Sequence, residues 1–242
     1  MINHKLVHTT DHPPDTNIEK AKGEWTKFVH SRTKNPSLKL NKLQKIIIAL
    51  VAGKKAVLAL MIGHSCMDYT PKNDFEVRQT KMNDIHEHLV TFRMLTTRLN
   101  LKNILEIGTR SGESTEVLAE CAKELGGKLT SIDIDPCISA KERIKSKNLE
   151  SNWKFIQNNS LDVDWNEPID HMFIDGLHTY EQVSKELRKY EPFVTHGGII
   201  TLHDIIHDPP VLDAIEEYIK DKPNLHLYKM LNNNGLGVIF KN

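Results

Sequence analysis

Phe173-Ile174-Asp175-Gly176-Leu177-His178-Thr179-Tyr180, echoed at Leu202-His203-Asp204, is the stretch on which the reading of this chain turns. Each piece starts as a short apolar run and ends in Asp and His. Ile169 to Ile174 and Ile199 to Leu202 are apolar, partly β-branched and bounded by Pro or Gly, the pattern of buried strands. A helical pattern follows each. In an open parallel α/β sheet, ligands lie just beyond the carboxyl ends of the strands. Asp175, His178, His203 and Asp204 are therefore expected to converge on one rim.

Strand and helix patterns alternate around these motifs. Strands are expected at 103–108, 128–134, 153–157, 169–174 and 198–203, and helices near 113–125, 137–148, 179–191 and 210–221. Two last strands, near 225–230 and 236–240, flank Asn232-Asn233-Asn234-Gly235, a strong hairpin signal. Alternating elements predict an α/β fold with a mostly parallel sheet, helices on both faces and an antiparallel C-terminal edge.

The first hundred residues read differently, as a helical extension for substrate or oligomer contacts ahead of a domain at 101–242. Residues 18–30 carry Ile18, Ala21, Trp25, Phe28 and Val29 on one helical face, and Asn35-Pro36-Ser37 ends that helix. Leu38 to Ile62 is the most apolar segment, interrupted by Gly53-Lys54-Lys55. A membrane span needs about 20 apolar residues, and two mid-span lysines oppose insertion. A buried helix pair or an oligomer contact fits better, and an interfacial helix stays open. Residues 69–74 read as a polar loop and candidate lid. A helix from about 76 to 99 follows, with Asn100 as its stop.

At 242 residues the chain can bury one sizeable core. Its formal net charge is zero, yet residues 1–60 hold eleven Lys/Arg against four Asp/Glu. Such a basic arm can meet an acidic partner or simply form a solvated helical face. Cys66, Cys121 and Cys137 lack metal-type spacing. With no signal-peptide pattern at the start, they point to a reducing, cytoplasmic setting.

The first strand runs into Glu106-Ile107-Gly108-Thr109-Arg110-Ser111-Gly112-Glu113-Ser114-Thr115. A glycine turn between strand and helix lets a ligand approach the backbone, with helix amides facing an anionic group. The spacing is Gly-x-x-x-Gly, which is not the dinucleotide fingerprint. The second strand ends Ile132-Asp133-Ile134-Asp135-Pro136, where an acid suits ribose hydroxyls. A turn or cap role for Asp133 is the plainer alternative.

Together these stretches resemble the class I S-adenosylmethionine-dependent methyltransferases, over about residues 100–242. The resemblance implies a Rossmann-like seven-stranded sheet. It also implies cofactor contacts at Glu106, Gly108, Thr109, Ser111, Gly112, Ser114, Asp133, Asn159, Ser160 and Asp175. Asn159 stands where the family often has Asp. Phe173-Ile174-Asp175-Gly176-x-His178-x-Tyr180 with Gly197-Gly198 and His203-Asp204 resembles the branch of macrocin-type sugar O-methyltransferases and cephalosporin hydroxylase-like proteins. That branch implies a divalent metal, usually magnesium, at Asp175, His203 and Asp204. A nitrogen donor at His203 suits magnesium poorly and favours either a transition metal or a place behind the ligands.

The catalytic candidates are His178 and Asp175. An alcohol is a weak nucleophile until its proton is removed; a cation on Asp175 and Asp204 lowers its pKa, and His178 is placed to accept the proton. His207 and Asp208, just before Pro209-Pro210, could shape the substrate mouth but read better as loop residues. The expected activity is metal-assisted O-methylation of a small-molecule hydroxyl, such as that of a sugar or glycoside, by a homo-oligomer. Nucleic-acid methylation through the basic arm is the alternative, though no amino-methylation motif or catalytic Pro-Cys supports it. A non-methylating cofactor binder of the same fold is the third reading.

Overall fold

A computed structural model of the chain describes residues 83–231 and 233–242. The helices expected at 18–30 and 38–62 and the loop at 69–74 lie outside these residues. The described part opens with helix α1 (His86–Arg98), the C-terminal portion of the helix expected from 76 to 99. Leu89, Phe92, Leu95 and Leu99 repeat every three or four positions, and all four are buried. This places them on one face of the helix. Asn100 adopts the left-handed conformation just past its end (φ 56°), as its short polar side chain permits.

Five strands alternate with helices after that: β1 (Asn103–Ile107), α2 (Glu113–Leu125), β2 (Lys128–Asp133), α3 (Ile138–Ser146), β3 (Trp153–Gln157), β4 (Ile169–Ile174), α4 (Tyr180–Tyr190), β5 (Val194–His203) and α5 (Pro209–Ile219). The hairpin β6 (Leu225–Met230) and β7 (Leu236–Lys241) closes the chain. The sheet order is β3-β2-β1-β4-β5-β7-β6. Strands β1 to β5 are parallel, and β7 inserts antiparallel between β5 and β6. This is the expected Rossmann-like mostly parallel seven-stranded sheet. Strand β5 begins four residues earlier than expected, at Val194.

The strands are apolar on both faces because both faces are covered. Ile104, Leu129, Phe173 and Ile199 pack with α1 and α2, while Leu105, Ile132, Met172 and Ile200 pack with α4 and α5. The alternation is the two-residue period of a strand. Residues 86–98 thus belong to the same core as the sheet. No helix of the described residues is long and apolar enough to cross a membrane.

Strand order reverses between β1 and β4, with β2 on one side of β1 and β4 on the other. At such a switch point the connections leave in opposite directions and open a crevice at the strand ends. Gly108 follows β1 and Asp175 follows β4, so the two principal motifs meet there.

Candidate functional site

The loop from β1 to α2 is shaped by contacts that exclude side chains. Gly108 has φ 93°, and a Cβ there would sit 2.2 Å from the carbonyl oxygen of Asp175. Gly112 has φ 87°, and its Cβ would sit 2.7 Å from that of Ala140 in α3. Both glycines let backbone close on backbone at a left-handed turn. The loop is pinned from below as well: the Gly108 N–H donates to the Ile132 carbonyl at 2.9 Å.

Asp133 binds this loop directly. Its Oδ2 accepts the Thr109 and Arg110 N–H groups at 2.7 and 3.0 Å, and Oδ1 accepts that of Asp135 at 2.9 Å. Burial alone would raise its pKa, but the amides of Asp135, Thr109 and Arg110 outweigh burial and lower it. The plainer cap reading is therefore realised in this geometry. A carboxylate has about four acceptor positions, so Oδ1 retains capacity for a further donor.

Glu106 and Ser114, both expected at the cofactor, are hydrogen-bonded to each other in the structure. The Glu106 carboxylate is fully buried and accepts the hydroxyls of Ser114, Thr115 and Ser131 at 2.6, 2.8 and 2.6 Å. Burial pushes its pKa up to about 7 despite those hydroxyls. The network fastens α2 and β2 under the loop. Ser160 is likewise buried: its hydroxyl donates to Glu186 at 2.6 Å and accepts from Gln182 at 3.1 Å. Asn159 caps the short turn that follows, its Oδ1 accepting the Leu161 N–H at 2.9 Å. The Ser111 hydroxyl donates to Glu113 in the first turn of α2.

At the ends of β4 and β5 the structure brings Asp175, His178, His203 and Asp204 together, and adds Asp208. His178 Nε2 lies 3.4 Å from Asp175 Oδ1, while Nδ1 lies 3.0 Å from Asp208 Oδ2 and 3.4 Å from Asp204 Oδ2. His203 Nδ1 is 3.2 Å from Asp175 Oδ1 and 3.3 Å from Asp204 Oδ2. Asp204 holds a left-handed backbone (φ 61°), an unfavourable state for a residue with a Cβ. Its Oδ1 and the Nε2 of His178 are buried without a hydrogen-bond partner.

Ligand atoms of Asp175, His178 and Asp204 all lie within 4.8 Å of one another. Two acceptor-only carboxylates, one with an orphaned buried oxygen, are a donor set that suits a divalent cation. His203, expected among the ligands, is not in that group, and His178 is. The His203 ring is buried, and its Nε2 donates to the Asn233 carbonyl at 3.1 Å. Burial opposes its protonation, but Asp175 and Asp204 outweigh that and raise its pKa to about 10. His203 thus stands behind the two carboxylates as their counter-charge. Asp175 is held well below the usual carboxylate range: burial works the other way, and His203 and His178 overcome it. For His178, the pull of Asp175 is the largest cause of a raised pKa, resisted by burial and reinforced by Asp204 and Asp208.

Three participants were not legible in the sequence. In the sequence Asp208 has the pattern of a loop residue and Asn233 that of a turn residue. His88, in α1, lies edge-on to His203 with ring centroids 5.5 Å apart. No local pattern signals these roles; the Asp-Pro-Pro sequence at 208–210 is the nearest thing to a hint.

Residues 105–205 match a protein family described as a methyltransferase domain. Solved structures share the fold at low identity. One is from Staphylococcus aureus, named as a candidate caffeoyl-CoA O-methyltransferase (22% identity, 64% of this chain and 82% of that one, TM-score 0.56). Another is an O-methyltransferase from Bacillus cereus in complex with SAH (15%, 92% and 91%, 0.51). A third is the O-methyltransferase TomG from Streptomyces achromogenes, involved in tomaymycin synthesis, in complex with SAM (13%, 92% and 89%, 0.51). Residues 105–205 thus match a methyltransferase domain, and the seven-stranded sheet around them is the fold of class I S-adenosylmethionine-dependent methyltransferases.

Proposed function

We propose that this methyltransferase acts on oxygen, transferring methyl to a hydroxyl of a small molecule such as a sugar or glycoside, with assistance from a divalent cation. The observation that carries this reading is the buried, unpartnered Nε2 of His178 beside the carboxylates of Asp175 and Asp204. A hydroxyl needs a base and a charge-stabilising partner to become a nucleophile, and this corner of the rim offers both. The names of the similar O-methyltransferase structures support the choice of oxygen.

When bound, S-adenosylmethionine supplies a sulfonium-activated methyl group. Gly108, Thr109, Ser111 and Gly112 would form the turn that holds it, Asp133, whose Oδ1 keeps acceptor capacity, would bind the ribose, and Asn159 would serve the adenine. A cation on Asp175 and Asp204, magnesium or a metal more tolerant of nitrogen, would lower the pKa of the acceptor hydroxyl. His178 takes the hydroxyl proton at Nε2 as the oxygen attacks in line. His203 balances the charge of the carboxylates from behind.

Two wider proposals rest on the sequence. The apolar stretches 43–51 and 56–62 suit contact with a second copy of the chain, which sedimentation would detect. Cysteine usage favours the cytoplasm; among the described residues Cys121 and Cys137 are free thiols.

The deciding experiment is methyl transfer from labelled S-adenosylmethionine across a panel of hydroxylated acceptors, with and without chelator. The expected result is chelator-sensitive transfer that falls by about 10²–10⁴-fold in His178→Ala while S-adenosylhomocysteine binding persists. Chelator-insensitive transfer with a fully active His178→Ala variant would overturn the proposal.

A further inference from the structure

We propose that Arg110 recognises the carboxylate at the amino-acid end of S-adenosylmethionine and so fixes the cofactor at the end remote from its adenine. The inference rests on the reading of the 108–112 turn as the place where the cofactor is held.

The backbone of the turn calls for an explanation of the arginine. Three of its residues are left-handed: Gly108 (φ 93°), Arg110 (φ 49°) and Gly112 (φ 87°). Such backbone favours Gly or Asn and is unfavourable for other residues with a Cβ. The chain has glycine at two of the three positions and arginine at the middle one. The conformation serves a main-chain contact there, since the Arg110 N–H donates to Asp133 Oδ2 at 3.0 Å beside that of Thr109. A glycine would make the same bond, so the shape of the turn does not account for the side chain.

The Arg110 side chain reaches the segment that leads into α1, where its Nη1 donates to Asp84 Oδ2 at 2.8 Å. It is 69% exposed, and an exposed ion pair contributes little stability by itself. A guanidinium carries five N–H donors, and among the described residues its side chain meets no acceptor other than Asp84. The turn holds a second unmet donor, because the Thr109 Oγ1 is buried without a hydrogen-bond partner. Arg143, which reaches the turn from α3, is already engaged by the Ser111 carbonyl at 3.2 Å, Glu116 at 3.0 Å and Glu113 at 2.9 Å.

Charge then selects the ligand group. Asp84 and Asp133 both touch Arg110, and Asp175 and Glu113 are close enough to add to its raised pKa. The amino-acid end of S-adenosylmethionine carries an ammonium and a carboxylate. Acids suit the ammonium, whereas the carboxylate needs a cation to enter the same rim. A planar guanidinium meets a carboxylate with two parallel hydrogen bonds. Asp133 fixes the Arg110 backbone and Asp84 its tip, so little ordering remains when the ligand arrives.

Calorimetry on the full chain tests this with two ligands, S-adenosylhomocysteine and its decarboxylated analogue, which keeps the adenosine, the sulfur and the amine. Arg110→Gly and Arg110→Asn both accept a left-handed backbone, so their urea midpoints should stay close to that of the wild type. Each should bind S-adenosylhomocysteine about 10–100-fold more weakly, the weight of a charge-assisted contact. Each should bind the decarboxylated analogue as the wild type does. Arg110→Lys keeps the charge without the fork and should fall between. Equal losses for the two ligands would make Arg110 a brace of the turn only, and no loss for either would make it a surface ion pair. Both results overturn the inference, as does a wild type that binds the two ligands equally well. A wild type that binds neither would remove the cofactor reading of the turn itself.

Discussion

The backbone carbonyl of Asn233 accepts hydrogen bonds from two histidine rings at once, Nε2 of His203 and Nε2 of His88, each at 3.1 Å. A carbonyl can only accept, so each ring carries a hydrogen on Nε2 at this contact. One oxygen in the β6–β7 turn therefore joins the rear of the candidate site to helix α1. The Asn233 side chain strengthens the link: Oδ1 accepts the Glu87 N–H at 2.9 Å, and Nδ2 donates to the Asn83 carbonyl at 3.2 Å.

Asn233 has a left-handed backbone, φ 44°. Asn233→Gly keeps that conformation but loses both side-chain bonds, so about 1–3 kcal/mol of stability should disappear. Asn233→Ala adds the cost of a Cβ in the left-handed region, about 1–2 kcal/mol more. Urea unfolding midpoints should rank wild type above Gly and Gly above Ala. Equal midpoints for the two variants would show that the turn relaxes freely.

The metal assignment makes a separate forecast through Asp204. Asp204→Asn tolerates the left-handed backbone yet removes the negative charge, so the fold should survive. Titration calorimetry with Mn²⁺ or Mg²⁺ should then show binding at least about tenfold weaker, since each cation ligand of this kind contributes on the order of a charge-assisted contact. Unchanged cation affinity would place the ion elsewhere or nowhere.

Asp133 should act on both the loop and the cofactor. Asp133→Ala removes the acceptor of three amides as well as the proposed ribose partner. Affinity for S-adenosylhomocysteine should fall by about 10–100-fold, or roughly 1–3 kcal/mol. Asp133→Asn retains oxygens for the loop and should lose less. If calorimetry finds both variants unimpaired, the end of β2 does not face the cofactor.

His171 predicts the acid limb of stability. It is fully buried in β4 between Thr96 Oγ1 (2.9 Å) and Thr201 Oγ1 (2.8 Å), and burial pushes its pKa down to about 3. A group with a depressed folded pKa contributes stability that is fully present above its unfolded value, near 6.5, and lost as pH falls toward 3. Unfolding free energy should drop by up to about 1.4 kcal/mol per pH unit from this site below pH 6.5. Glu106 has the opposite sign: its raised pKa adds stability as pH falls from about 7 toward 4.5. His171→Gln should therefore flatten the acid limb and Glu106→Gln should steepen it, in urea titrations between pH 4.5 and 8. An unaltered limb in His171→Gln would mean that this ring reaches water more easily than its burial suggests.

Local patterns in the sequence determined the framework. Short runs such as Met172–Ile174 and Ile199–Leu202, bounded by turn residues, fit buried strands, and strands alternating with helices admit few arrangements. Because functional groups in such a sheet collect at strand ends, Asp175, His178, His203 and Asp204 could be read as neighbours although up to 29 positions separate them. Glycines at 108 and 112 announced a tight turn for the same local reason. Tertiary structure alone decided what those side chains touch. Glu106 lies in the middle of a motif, but whether it turns toward a ligand or toward Ser131 depends on how β1 pairs with β2. Asp208 looks like an ordinary helix cap until the turn after β5 brings it to His178. Asn233 meets His88 across 145 positions. Periodicity and turn chemistry act over a few residues and leave a record in the chain. Hydrogen-bond partners across a core are chosen by packing, which assembles in space groups that the sequence keeps far apart.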